Sequence, residues 1–245
     1  MKKFGFTLAE VLITLGIIGV VAAITIPSLT TNFQKRAWAT QAKQTYAVLQ
    51  QGFKMARNDT DTDNIFDSEM FTPSGYDYYV KTPEKYLKMT KLKQDPFSLA
   101  GGTDDILPSY KLIDKSGFYN GDFFTEMNVY ILVNGSILYF PYHVHSYNSY
   151  SRPMDGMFFA IDTNGMAGPN ILGRDLFGYI VDASGTIYPY GEENHFTCHS
   201  ANGCDLGNYD PSAEKNYSAC NPSSTDSSGK LKNGEGCAAR LMFND

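Results

Sequence analysis

The sequence predicts an α+β protein: a long N-terminal helix, apolar in its first half and amphipathic in its second, packed on an antiparallel β-meander. Three observations carry that expectation. Residues 6–26 are nearly all apolar, residues 38–56 repeat apolar side chains at helical spacing, and from Met127 onward short apolar runs alternate with Gly-containing turns. Composition agrees with a folded body, since 42% of the 245 residues are hydrophobic and 14% aromatic, ample for a core. The net charge of −6 speaks against a nucleic-acid binder, which normally shows a basic face.

The first element contains one anomaly. From Phe6 to Ile26 the only charge is Glu10. At about 1.5 Å per residue, a helix of this length covers roughly the hydrocarbon thickness of a bilayer. A carboxylate there costs on the order of a few kcal/mol, less near the interface. Glu10 is therefore either solvated by headgroups or waiting for a partner. An ordinary secretory signal would place a small-residue cleavage site after the run. Val21-Ala22-Ala23 offers one, but the run is long and Glu10 fits such a signal poorly. A plain signal anchor leaves Glu10 unexplained. Lys2 and Lys3 precede the run and Lys35 and Arg36 follow it, so counting charges does not orient it.

A third reading accounts for Glu10. The stretch Gly5-Phe6-Thr7-Leu8-Ala9-Glu10 resembles the processing site of type IV pilins and of the pseudopilins of type II secretion systems. The resemblance covers about the first 30 residues. It implies that a prepilin peptidase cuts between Gly5 and Phe6, that Phe6 becomes the N-methylated mature N-terminus, and that Glu10 is the fifth mature residue. In that family this Glu is thought to pair with a neighbouring subunit's N-terminal amine. In a low dielectric the pairing offsets a desolvation cost that each charge alone would bear. The resemblance further implies other pilin or pseudopilin subunits and an ATPase-driven inner-membrane assembly platform as partners. The chain would be single-pass in the inner membrane, with its head in the periplasm or on an extracellular filament. Pro27 falls where many members carry a proline in the first helix.

After Pro27, Trp38, Ala42, Tyr46, Leu49, Phe53 and Ala56 recur at intervals of three and four, the spacing of one helical face. Lys35, Arg36, Gln41, Lys43, Gln44 and Gln50 are expected opposite them. Asn58-Asp59-Thr60-Asp61 should end the helix at about Arg57. The expected organisation is a leader at 1–5, a membrane and filament-core helix at 6–27, an amphipathic helix at 28–57 and a globular head at 58–245. Residues 58–126 are poorly periodic, with short helical or looped pieces expected around Tyr86–Lys93 and a turn at Gly101-Gly102. Then MNVYILV, Asn134-Gly135 and SILYFPYHV form a hairpin pattern, since Asn-Gly suits a type I′ turn. GMFFAID is a third strand, and FGYIVD and TIYPYG, joined through Ala183-Ser184-Gly185, are a fourth and fifth. Such short connections favour an antiparallel meander.

Cys198, Cys204, Cys220 and Cys237 all lie in the last fifth of the chain, amid Asn, Gly and Ser. An even count in a loop-rich region behind an export-like N-terminus suggests two disulfides and an oxidising compartment. The fold expectation thus includes a disulfide-tied C-terminal loop region, with 198–204 and 220–237 as one of three connectivities. The competing reading is free or metal-bound thiols.

Asp162, Asn164, Asn170 and Asp175 place four oxygen-bearing side chains in one Gly-rich loop. Hard oxygen donors suit calcium, though the spacing is not that of an EF-hand. The stretch resembles a DxNGxxGPNxxGxDxF segment of some pilin-like proteins, and related pseudopilins use a calcium loop elsewhere in the head. A tight turn explains the same residues, with Asn and Gly supplying unusual backbone angles and Asp bonding to the backbone. His143 and His145 share a strand face and, with Cys198, His199 and Cys204, suggest zinc only loosely, because no familiar zinc spacing is present. No GxSxG, HExxH, P-loop or GxGxxG pattern occurs, so catalysis has no positive support. The expected role is a structural, non-enzymatic subunit. The alternative is a membrane-tethered extracytoplasmic enzyme or ligand-binding domain behind an ordinary signal anchor.

Overall fold

A computed structural model describes residues 7–74, 77–93, 109–111, 127–141, 143–145, 156–190, 196–198, 203–206 and 237–238. The chain divides into two compact units, Met1–Thr40 and Gln41–Asp245, and helix α1 (Leu8–Thr60) supplies residues to both.

In the first unit α1 carries Leu8–Thr30, long and apolar enough to cross a membrane, with none of that apolar stretch buried. Leu12 is 60% and Ile24 71% exposed. The few hydroxyls in this stretch are turned back onto the helix. Thr14 Oγ1 donates to the carbonyls of Glu10 and Val11, Thr25 Oγ1 to Val21, Ser28 Oγ to Thr25, and Thr30 Oγ1 to Ile26 and Pro27. Each hydroxyl is satisfied locally, as an apolar surrounding requires. Pro27 lies inside the helix, where its missing N–H removes the bond to the carbonyl of Ala23.

In the second unit α1 continues to Thr60, about one turn beyond the Arg57 expected. It ends in a left-handed cap: Asp61 adopts φ +52°, its N–H donates to Asn58, and Thr62 N–H donates to Arg57. Those two bonds satisfy orphan carbonyls of the last turn. A short 3₁₀ turn (Ile65–Asp67), β1 (Phe71–Ser74), β2 (Asp77–Val80), α2 (Glu84–Leu87) and β3 (Met89–Lys93) follow. The expected piece at Tyr86–Lys93 is thus the end of a helical turn followed by an edge strand. Gly101-Gly102 lies outside the described residues.

The remaining strands are β4 (Met127–Leu132), β5 (Ile137–Pro141), β6 (His143–His145), β7 (Gly156–Asp162), β8 (Leu176–Asp182), β9 (Ile187–Pro189), β10 (Phe196–Cys198) and β11 (Gly203–Leu206). The main sheet runs β3-β4-β5-β7-β8-β9, antiparallel throughout. The expected meander is present. β11 pairs with the start of β7 beyond the end of β5, and β10 pairs with β11. β6 leaves the main sheet after Pro141 and joins β1 and β2 in a second sheet. The single run expected at 136–144 therefore serves two sheets.

Both faces of the main sheet are covered, which is why β5 and β7 are buried along their whole length; such strands read as continuous apolar runs rather than alternations. On one face Tyr130, Leu138, Phe140, Met157, Phe159, Tyr179 and Val181 pack with Leu49, Phe53 and Ala56 of α1. On the other, Met127, Val129, Ile137, Tyr139, Phe158 and Ile180 pack with Tyr110, Leu172 and Leu176. Each fully buried large side chain is worth about 1.5–3 kcal/mol.

Two hairpins share one turn geometry. Gly135 N–H donates to Leu132 and Gly185 N–H to Asp182, with φ +85° and +77° at the two glycines. Asn134 is not in the left-handed region, so the expected type I′ turn is not formed. The loop is one residue longer, and the left-handed glycine follows the turn as a bulge.

Side chains of α1 hold both hairpin tips. Gln50 Nε2 donates to the carbonyl of Gly185 at 2.6 Å and its Oε1 accepts from Ile187 N at 2.8 Å. Tyr46 OH donates to the Ile187 carbonyl and Arg57 to that of Ser184. At the other tip, Asn134 Nδ2 donates to Thr45 Oγ1, and Gln41 Nε2 reaches the Asn134 carbonyl. Gln41 and Gln50, expected on the outer face, are therefore on the sheet side.

α2 presses so closely on α1 that a Cβ on Gly52 would lie 2.5 Å from Leu87 Cδ2 and 2.9 Å from the Tyr86 carbonyl oxygen. Gly52→Ala should lower unfolding stability by about 1–3 kcal/mol, the scale of overpacking a full interface. Thermal unfolding of the detergent-solubilised chain tests this, and an unchanged midpoint would mean that α2 yields freely.

Candidate functional site

Among the described residues, candidate site residues come together at the start of α1 and in the loop between β7 and β8. At the first, Thr7 precedes the first helical residue and Glu10 lies three residues on. Glu10 Oε2 accepts from Thr7 N and from Thr7 Oγ1, both at 2.8 Å, while Glu10 N donates to Thr7 Oγ1 at 3.3 Å. This is a reciprocal capping box, in which side chains satisfy otherwise orphaned donors of the first turn. Thr7 was legible as part of the Thr-Leu-Ala-Glu pattern but was not singled out in the sequence. Gly5 and Phe6 lie outside the described residues.

At the second place, residues 163–175 join β7 to β8, and the structure brings the four oxygen-bearing residues together. Asp162 Oδ1 accepts from Asn164 N at 3.1 Å and Gly165 N at 3.0 Å. Asp175 accepts from Asn170 N and Ile171 N, each at 2.6 Å. Asn164 Nδ2 donates to the carbonyls of Ala167 and Gly168, and Asn170 adopts φ +55°. The loop thus has the Asp-to-backbone bonding and left-handed Asn of a built turn. Gly165 packs so closely on Gly135 that no side chain fits there. Ser136 Oγ donates to the Thr163 carbonyl, tying the loop to the hairpin tip that α1 holds.

Tyr110 completes the set, and nothing in its sequence surroundings marked it. Its hydroxyl donates to Asp162 Oδ2 and lies 2.8 Å from Tyr139 OH, so Tyr139 donates to Tyr110. Burial pushes Asp162 up to about 7, the nearby charge of Asp175 adding to the rise and the Tyr110 hydrogen bond opposing it. Burial likewise raises Asp175, against its bonds from Ile171 and Asn170. Two desolvated carboxylates side by side disfavour double ionisation.

As a cation site the loop is partly suited. Asn164 Oδ1 and Asn170 Oδ1 are buried without a hydrogen-bond partner, and amide and carboxylate oxygens are the donors calcium takes. Both carboxylates, however, are already turned toward N–H and O–H donors. Among the described residues no group of three or more His, Cys, Asp or Glu could hold a metal ion. The side chains of His143, His145, Cys198 and Cys204 lie outside the described set, as do His199 and Cys220. By backbone register Cys198 stands opposite Cys204 across β10 and β11. Cys237 is 1% exposed in the helix-side core and is disulfide-bonded.

Residues 1–26 match the family model described as the prokaryotic N-terminal methylation motif. The chain carries the prepilin-type signal of type IV pilins and pseudopilins at its N-terminus. Neither a curated protein nor a solved structure matches the chain.

The pH dependence of the second site follows from Asp162. Its folded carboxyl keeps a proton to about 7, whereas an unfolded Asp loses it near 4. Between these values the native state binds more protons, so stability falls as pH rises through the window and levels off above it. In chelator, the unfolding midpoint should drop from pH 5 to pH 8, and Asp162→Asn should flatten most of that slope. A midpoint rising with pH over that range contradicts the assignment.

Proposed function

We propose that the chain is a structural subunit of a type IV pilus or type II secretion pseudopilus, whose work is assembly and not catalysis. The observation that carries this reading is the prepilin-type signal running directly into an apolar stretch, Leu8–Thr30, that the protein itself leaves uncovered. On this reading a prepilin peptidase cuts between Gly5 and Phe6 and Phe6 is N-methylated. The apolar helix is held in the inner membrane and then among the helices of other subunits, on an inner-membrane assembly platform. The head lies outside the cytoplasm, in the periplasm or along an extracellular filament.

Glu10 is assigned to assembly. Removing its carboxylate makes insertion easier but leaves a neighbour's amine buried and uncompensated, which is costly. Mass spectrometry of the mature protein should find N-methyl-Phe6 at the N-terminus. A chain starting near Ala23, or at Met1, overturns the reading in favour of a secreted or anchored domain of another kind. Glu10→Gln should accumulate in the membrane with an intact head and form far fewer filaments.

Calcium is assigned to Asp162, Asn164, Asn170 and Asp175, supported by the two orphaned amide oxygens. An ion bound only to the native state raises stability, so millimolar calcium should raise the unfolding midpoint and Asp162→Ala should abolish the increment. Identical melting in chelator and in calcium leaves the loop as a turn alone. For the cysteines we assign Cys198–Cys204 and Cys220–Cys237, supported by the cross-strand register of the first pair and the bonded state of Cys237. Closing a loop of about 15 residues is worth roughly 3 kcal/mol in the chain-entropy model. Non-reducing peptide mapping should recover these two links, and a 198–237 link refutes them.

A further inference from the structure

The capping box at the start of α1 does more than end a helix. Both donors of Thr7, its N–H and its hydroxyl, converge on one oxygen of Glu10, Oε2, at 2.8 Å each. Oε1 accepts no hydrogen bond from the described residues. The carboxylate of a long, flexible side chain on an exposed helix would otherwise sample several rotamers. Here it is folded back toward the first turn, with one oxygen committed and one left open.

We propose that Thr7 is the positioning residue for Glu10: it fixes the carboxylate so that Oε1 faces the amine it meets during assembly. This rests on the assembly reading given above. Cleavage between Gly5 and Phe6 leaves the Phe6–Thr7 peptide bond intact, so the Thr7 N–H survives processing. Its hydroxyl also lowers the penalty of holding Glu10 in hydrocarbon, because a buried charge costs least when hydrogen-bonded. A loose carboxylate would lose conformational entropy on each subunit addition, and one already bound by Thr7 loses little.

Capping and positioning can be separated by what each needs from residue 7. A cap needs an acceptor for Glu10 N–H, which Asp and Ser supply as well as Thr. Positioning needs, beside the backbone N–H that every variant keeps, a side-chain donor for Oε2, which Ser supplies but Asp and Val do not. The test uses the full chain in its assembling host, scoring sheared filaments against processed subunit. Thr7→Ser should assemble like wild type. Thr7→Asp and Thr7→Val should be cleaved at Phe6 yet lose about tenfold or more in filament yield, the scale of losing one hydrogen bond to a charged group. Thr7→Val combined with Glu10→Gln should be no worse than Glu10→Gln alone.

Assembly of Thr7→Asp at wild-type yield, with Glu10→Gln defective, overturns the positioning role and leaves Thr7 a helix cap. Failure of the Thr7 variants to be cleaved also overturns it, placing Thr7 in the peptidase's recognition. Normal assembly of Glu10→Gln instead removes the reading on which the inference rests.

Discussion

The second unit depends on one requirement: the backbone groups at two hairpin tips must find partners, and α1 supplies them. Gln50 meets both a carbonyl and an N–H of the 185–187 segment with a single carboxamide. At the other tip Gln41 reaches the Asn134 carbonyl, and Thr45 accepts from the Asn134 side chain. Buried backbone groups left unpaired cost about as much as a lost hydrogen bond, so the helix cannot rotate or shift by a turn without orphaning several at once. Hydrophobic packing of Leu49, Phe53 and Ala56 is nondirectional and would tolerate such a shift. The polar contacts set the register, and the apolar ones supply most of the energy.

That register reaches the loop after β7. Thr45 Oγ1 lies 3.3 Å from Ser136 Oγ, which donates to the Thr163 carbonyl. Asp162 next to it receives Tyr110, and Tyr110 receives Tyr139, both tyrosines lying on the face away from α1. A chain of buried polar groups therefore runs from α1 past the hairpin tip to the far core. Fully satisfied networks of this kind specify one arrangement, and partly satisfied ones are costly.

Much of this was legible in the sequence. The apolar run, the helical stripe and five of the meander strands follow from period and turn residues. Other features were hidden for identifiable reasons. Periodicity counts apolar residues, so Gln41 and Gln50 read as solvent-facing although their amides bind the hairpin tips. Asn134-Gly135 reads as a two-residue loop because nothing local shows that Val133 falls outside the ladder. β3 contains Lys91 and Lys93, which mask a strand while suiting an edge. β6 pairs with β2 across more than sixty residues of chain, beyond any local pattern. Thr7 was overshadowed by Glu10, although the capping pattern was present, and Tyr110 has no local signal at all.

The inward-turned hydroxyls of Thr14, Thr25, Ser28 and Thr30 have a mechanical consequence. Helices whose polar atoms are self-contained offer a neighbour only dispersion contacts, which are weak singly and insensitive to direction. Such surfaces can slip and re-seat without breaking a specific bond. In an assembly of the kind proposed above, stretch and twist would be taken up in many small steps along such surfaces.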